Sequence, residues 1–268
     1  NIIDFDPGIN TFTMTAPSPI SSGDAFILKT DSSGNFKWAK KLVGNATVRE
    51  IAIGDNGSAY ATGTFKGSVD FNPDTSATTI IQTGGTPVKD NAFLLKLTRN
   101  GIFKWIKVIG GNYQGQGLAV AFNQLNMKCC FTGFAAPGVD IDPGPSTNVT
   151  SSGAGFICEL DTMGATLQSK SLDGNCYPTS IKYDSGLLIG GLFQDVVDVD
   201  PGTGVQSISC PASTSEIFIL KLTNALAFNW VREVNSNTIC SLHDVRLMTD
   251  KKSHIYLFSA YTGSYDLD

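Results

Sequence analysis

The sequence is read from one short acidic turn, Asp140-Ile141-Asp142-Pro143-Gly144, because the same pattern returns along the chain. It stands earlier as Asp4-Phe5-Asp6-Pro7-Gly8 and Asp70-Phe71-Asn72-Pro73-Asp74, and later as Asp198-Val199-Asp200-Pro201-Gly202. A shortened copy closes the sequence as Asp266-Leu267-Asp268. The leading aspartates are separated by 66, 70, 58 and 68 residues. Regular self-similarity at such a spacing is the signature of a repeat architecture.

Between the acidic turns lie two kinds of hairpin. The first alternates apolar and polar residues around a short turn, as in Ala25–Leu42, and returns at Asn91–Val108, Gly155–Leu172 and Glu216–Val234. The second runs from Arg49 through Asp55-Asn56-Gly57 to Phe65, and returns at Gly117–Phe134, Thr179–Phe193 and His243–Tyr261. Period-two alternation around Gly-containing turns predicts antiparallel strands, and Asn-Gly favours a tight hairpin turn. Four hairpins of each kind predict sixteen strands in four groups of four. The expected fold is therefore all-β, a β-propeller of four four-stranded blades with repeats of about 66 residues. Radial repetition of four-stranded units protects strand edges. Residues 1–268 form a single domain in this reading, with a closing blade shared between the N- and C-terminal hairpins.

The overlapping acidic motifs at the two ends support a second reading, in which the chain is a piece of a longer repeat array. Asn1 in place of a start methionine reads as a mature or trimmed product.

Composition narrows the function classes. The chain has 268 residues, a net charge of −5 and no basic run, so it lacks the electrostatic footprint of a nucleic-acid binder. No stretch of about 18 apolar residues predicts a membrane span. Six cysteines allow two readings. Cys129 or Cys130 facing Cys158, and Cys210 meeting Cys176 or Cys240, would give disulfides; the alternative is small buried hydrophobes with free thiols. Without a Cys-x-x-Cys pair, a zinc or dithiol redox site is not expected.

Two constellations invite a chemical reading. In an extended Asp-x-Asp the carboxylates project to one side, so Asp4, Asp6, Asp140, Asp142, Asp198 and Asp200 are candidate ligands for calcium, a cation that takes several oxygens. The competing reading makes each Asp a cap for its own turn, with Pro and Gly setting the dihedrals and the middle residue plugging the core. Trp38, Trp105 and Trp230 each follow a Phe by two residues and are expected to pack between blades. Gly63, Gly133 and Gly190-Gly191 mark close backbone approach near the axis. His243 and His254 sit by no nucleophile signature, and no enzyme activity is expected.

The stretches Asp24-Ala-Phe-Ile-Leu-Lys, Ser33-Gly-Asn-Phe-Lys-Trp-Ala-Lys, Gly57-Ser-Ala-Tyr-Ala-Thr-Gly and Val69-Asp-Phe-Asn-Pro together resemble the bacterial β-propeller repeat called SBBP. The resemblance covers essentially the whole chain and weakens in the third repeat, where Gln168 replaces the tryptophan. The family is named for seven blades, against four repeats in this sequence. It implies a secreted or cell-surface protein of the kind common in Bacteroidetes, where type 9 export is frequent. The expected function is a non-catalytic adhesion or binding module engaging protein or glycan through a loop-rich face. A structural spacer in a larger surface assembly is the alternative, and a polysaccharide-acting hydrolase stands behind both.

Overall fold

A computed structural model describes residues 2–15, 23–74, 77–212, 214–234 and 242–261, the side chains of 242–244 and 261 excepted. The architecture is nearly all β. Among the described residues the helical content is one 3-10 turn, Asp55–Gly57, where Asn56 and Gly57 both take positive φ, as a tight Asn-Gly turn requires.

In chain order, β1 (Ile2–Asp4) pairs with β2 (Thr13–Thr15) around the first acidic turn. A long hairpin follows, β3 (Ala25–Thr30) with β4 (Phe36–Leu42). Then come β5 (Ala46–Ile53) and β6 (Ala59–Lys66), and the small pair β7 (Ser68–Asp70) and β8 (Ile80–Gln82) around the second acidic turn. β9 (Asp90–Leu97) and β10 (Phe103–Ile109) complete a four-stranded sheet in the order β10-β9-β6-β5.

The next sheet is longer because one strand serves twice. It runs through β11 (Gly115–Asn123), β12 (Lys128–Ala135), β13 (Ala154–Asp161) and β14 (Thr166–Tyr183). It continues with β15 (Leu187–Asp198), the short β16 (Ser207–Ser209), β17 (Glu216–Leu222) and β18 (Phe228–Val234). Thr166–Asp173 of β14 pairs with β13, and Asp173–Tyr183 pairs with β15, with a register shift between Asp173 and Asn175. The same strand is thus the outer edge of a second four-stranded unit and the inner edge of a third. The sheet is curled into a half-barrel. β19 (Leu242–Thr249) and β20 (Ile255–Tyr261) form the last hairpin.

Eight hairpins were expected from the sequence, and their positions agree with the eight long strand pairs to within a few residues. The small strands beside the acidic turns were not foreseen, being too short to show a period.

Cores form between consecutive units rather than within them. One joins β3 and β4 to β6 and β9. A second joins β6 and β9 to β12 and β13, and a third joins β11, β12 and β13 to β14, β15 and β17. Middle strands are therefore buried on both faces, as in β6, β9, β12 and β13. Each inner strand carries a bulge: between Val48 and Glu50, Gly117 and Ala119, and Pro178 and Ser180. Gly63, Gly133 and Gly191 lie on the strand opposite. A Cβ there would clash with the carbonyls of Thr47, Gln116 and Tyr177 respectively. The extra residue of a bulge pushes the backbone toward its partner, so the close approach is to the neighbouring strand of the same sheet.

Among the described residues, β3 pairs only with β4, and β20 only with β19. The β19–β20 pair departs from the other units where packing is tightest. Phe258-Ser259 stands where they carry Thr62-Gly63, Thr132-Gly133 and Gly190-Gly191.

Candidate functional site: acidic turns, inter-unit locks and an ion cluster on the inner strands

Four copies of the acidic turn are built alike. Asp140 Oδ1 accepts the N–H of Asp142 at 3.0 Å and that of Asn148, across the loop, at 2.8 Å. Asp142 Oδ1 then accepts the N–H of Gly144 at 2.7 Å. Asp4 accepts from Asp6 and Phe12, Asp70 from Asn72 and Thr79, and Asp198 from Asp200 and Gln206. The second position repeats the short cap in Asp6, Asn72 and Asp200. Two successive side-chain turns and one bond across the loop fix the backbone locally.

The capping reading of these residues is what the hydrogen bonds display. A Cβ on Gly144 would sit 2.9 Å from Asp142 Oδ1, whereas the second turn carries Asp74 at this position with the same cap. Val69 and Phe71, Val139 and Ile141, and Val197 and Val199 alternate with the acidic residues and are fully buried in the inter-unit cores. These three acidic motifs are wedges, with apolar residues inward and caps outward, whereas Ile3 of the first motif is exposed.

The six candidate calcium ligands Asp4, Asp6, Asp140, Asp142, Asp198 and Asp200 therefore all direct Oδ1 at backbone N–H groups. Among the described residues no three His, Cys, Asp or Glu side chains converge as a metal site would require. The shortened copy, Asp266-Leu267-Asp268, lies outside the described residues.

At the opposite end of the strands, hairpin turns lock neighbouring units together. Trp105 Nε1 and Lys96 Nζ, from the first unit, both donate to the carbonyl of Thr162 in the second, at 3.3 and 2.8 Å. Lys96 also lies 3.0 Å from Asp55 Oδ1, and Asp55 accepts from the Tyr60 hydroxyl at 2.6 Å. Burial pushes the Asp55 carboxyl up, but Tyr60 and Lys96 outweigh it and leave it below the ordinary carboxylate range. Burial and the neighbouring Asp55 push the Tyr60 phenol far above its usual range. The pair recurs as Lys221 with Asp184, at 3.6 Å.

In the second unit the charges are reversed. Glu159, 1% exposed, accepts from Lys128 and Gln168 at 3.0 Å each and from the Tyr183 hydroxyl at 3.0 Å. Lysine gives way to glutamate at the position where tryptophan gives way to Gln168.

Four inner strands converge on one carboxylate that the sequence did not single out. Glu50 on β5 accepts the Val120 N–H of β11 at 3.0 Å. Its Oε1 lies 3.7 Å from Lys182 Nζ on β14 and 4.0 Å from Arg246 Nη1 on β19. A lone Glu in an alternating strand gives no sequence signal of this role, because its partners come from three distant repeats.

The five described cysteines are all free thiols, so the disulfide reading fails for Cys129, Cys130, Cys158, Cys176 and Cys210. Cys240 lies outside the described residues. Burial pushes the thiols of Cys129, Cys130, Cys158 and Cys176 up, away from the reactive thiolate form. His254 is exposed and lies 2.8 Å from Asp250; the side chain of His243 is not described. No helix among the described residues is long and apolar enough to cross a membrane.

Comparison with known proteins gives no match to a family and none to a curated relative.

Proposed function

We propose that this chain is a secreted or cell-surface binding module of the SBBP-like kind, built as a four-bladed β-propeller. It engages protein or glycan without catalysing a reaction. The observation that carries this reading is the repeated loop framework. Four acidic turns, capped identically, stand at the end of the strands where the chain crosses between units. Loops fixed in advance lose little entropy when a partner binds, which favours recognition surfaces of this type.

The ring reading is supported by three complete four-stranded units and by seats for both remaining hairpins. Lys29 and Trp38 hold β3–β4 to the first unit through the Arg99 carbonyl. Thr179 and Ser180 hold β19 to the third unit, and Arg246 reaches Glu50 of the first. A fourth blade joining β20 to β3 completes this arrangement.

A screen of the folded chain against a glycan array and a panel of surface proteins tests the binding reading. Saturable binding is expected, and Thr147→Arg and Thr203→Arg at exposed loop tips should abolish it. An empty screen, or binding indifferent to the loop tips, overturns the proposal.

One observation favours the spacer reading as a second choice. Phe26, Leu28, Tyr256 and Phe258 are exposed on the unpaired hairpins, as they would be where an array continues. The intact mass of the source-derived chain separates the two. A mass near 28.5 kDa fits a self-contained ring, and a much larger one fits an array.

A further inference from the structure

The junction between the second and third units is where the repeat breaks, and the cleft beside it is lined differently from those at the locked junctions. At the other described junctions a lysine and a tryptophan close on one backbone carbonyl, that of Arg99 or Thr162. The corresponding carbonyl here belongs to Asn224, while the positions of the two donors hold Glu159 and Gln168. Both turn inward to the Lys128 and Tyr183 network. The turn glycine is also replaced, by Leu226 at φ +55°, fully buried in the core. Beside Asn224 lies a cavity of about 350 Å³, between the turn Asn123–Asn126 of the second unit and Tyr183–Gly186 of the third.

Its chemistry is that of neutral amides against an apolar wall. Asn123 Oδ1 caps the N–H groups of Leu125 and Asn126, which leaves its amide N–H₂ for another partner. Gln124 donates to the Ile53 carbonyl and keeps its own carbonyl oxygen. The side chains of Asn126 and Asn224 have no hydrogen bond among the described residues. Phe122 and the exposed Leu125 supply apolar surface. The carboxylate at the rim, Asp184, is engaged by Ser253 and Lys221, so the cleft offers no unpaired charge.

From these features we infer that this cleft binds a neutral sugar ring. The carboxamides of Asn126 and Asn224 each present a donor and an acceptor side by side, matching adjacent hydroxyls, while Asn123 adds a donor and Gln124 an acceptor. An apolar wall accepts the C–H face of a pyranose, and the volume lies within the range of small-molecule sites, roughly 300–1,000 Å³. A charged ligand would lose hydration with no counter-charge to meet it. The site is at the opposite end of the strands from the acidic loops and does not depend on what those loops bind.

The test is a titration of the full chain with glucose, galactose, N-acetylglucosamine and cellobiose, with glucuronate as the charged comparator. Side-chain amide resonances of Asn123, Asn126 and Asn224 are followed by NMR. At least one neutral sugar should shift them saturably, in the millimolar range expected of a single ring (about −4 kcal/mol). Asn126→Ala and Asn224→Ala should weaken that response about tenfold without disturbing the rest of the spectrum. Absence of saturable shifts with all four sugars, shifts confined to the acidic loops, or glucuronate binding as well as glucose would each overturn the inference. Thr147→Arg and Thr203→Arg should leave the cleft response intact, so failure here and failure of the loop-face reading are distinguishable.

Discussion

Trp38 Nε1 lies 3.0 Å from the carbonyl oxygen of Arg99, an acceptor 61 residues away, and Lys29 Nζ reaches the same oxygen at 2.8 Å. Trp105 and Lys96 repeat the arrangement on Thr162. The glycines of the receiving turns are part of it, since a Cβ on Gly101 or Gly164 would press on the indole at 3.1 or 3.0 Å. Trp38 and Trp105 thus pack between units as the sequence suggested, and their N–H groups specify which turn each meets.

Beneath that contact is the Asp55–Lys96 pair, whose side chains are 17% and 8% exposed. Removing one partner leaves the other charged and largely out of water. Lys96→Met should cost about 3 kcal/mol in urea unfolding. Adding Asp55→Leu should recover a large part of that loss, which a double-mutant cycle reads directly. A double variant as unstable as the sum of the singles would show that the two residues act separately.

Acid should unfold the chain through the same kind of group. Lys37 and Asn35 hold Asp31 far below the ordinary carboxylate range, and Asp55 is also lowered. Because these pKa values are depressed in the folded state, their contribution is complete above the unfolded value of about 3.9. It is lost as pH falls from there through the folded values. The urea midpoint should change little from pH 7 to about 5 and drop below about 4. Asp55→Asn should flatten that drop; an unchanged acid limb in this variant would contradict the assignment.

The acidic turns separate capping from charge. Asp140→Ala removes the acceptor for two backbone N–H groups and should cost about 1–3 kcal/mol. Asp142→Asn keeps an oxygen in place, as Asn72 does in the second turn, and should fall within about 0.5 kcal/mol of the parent. Equal losses in both would mean that the negative charge itself is required.

Thiol chemistry reports on the inter-unit cores. With Cys129, Cys130, Cys158 and Cys176 buried and their thiols held protonated, alkylation at pH 8 should spare all four until denaturant is added. Cys210, half-buried, should react first among the described cysteines. Peptide mapping showing native labelling of Cys158 would place that core in contact with solvent.

In the proposed ring, closure between β20 and β3 has a definite register. Ala61 faces Leu95, Phe131 faces Cys158 and Ile189 faces Leu220 in the complete units, which places Leu257 opposite Leu28. The double variant Leu28→Cys/Leu257→Cys should therefore oxidise to an intramolecular disulfide in a monomer. Disulfide-linked dimers, or no bond, would favour an array joined edge to edge.

Much of this protein was legible in its sequence. Alternation, Gly-containing turns and the recurring acidic motif specified strands, hairpins and their order, because these depend on residues within a few positions of one another. The capping role of Asp140 and its equivalents was legible for the same reason, although their bonds across each loop were not.

What the fold alone decided involves partners far apart in the chain. Glu50 meets Val120, Lys182 and Arg246 across three repeats. Cys129, Cys130 and Cys158 remain free thiols, and strand register places Cys158 opposite Phe131 and Cys130 opposite Glu159. The exchange of Lys and Trp for Glu159 and Gln168 looked like decay of the repeat. In three dimensions it replaces a lock with a buried carboxylate network. Local sequence governs backbone conformation, but only packing brings together the side chains that make a core, an ion cluster or a site.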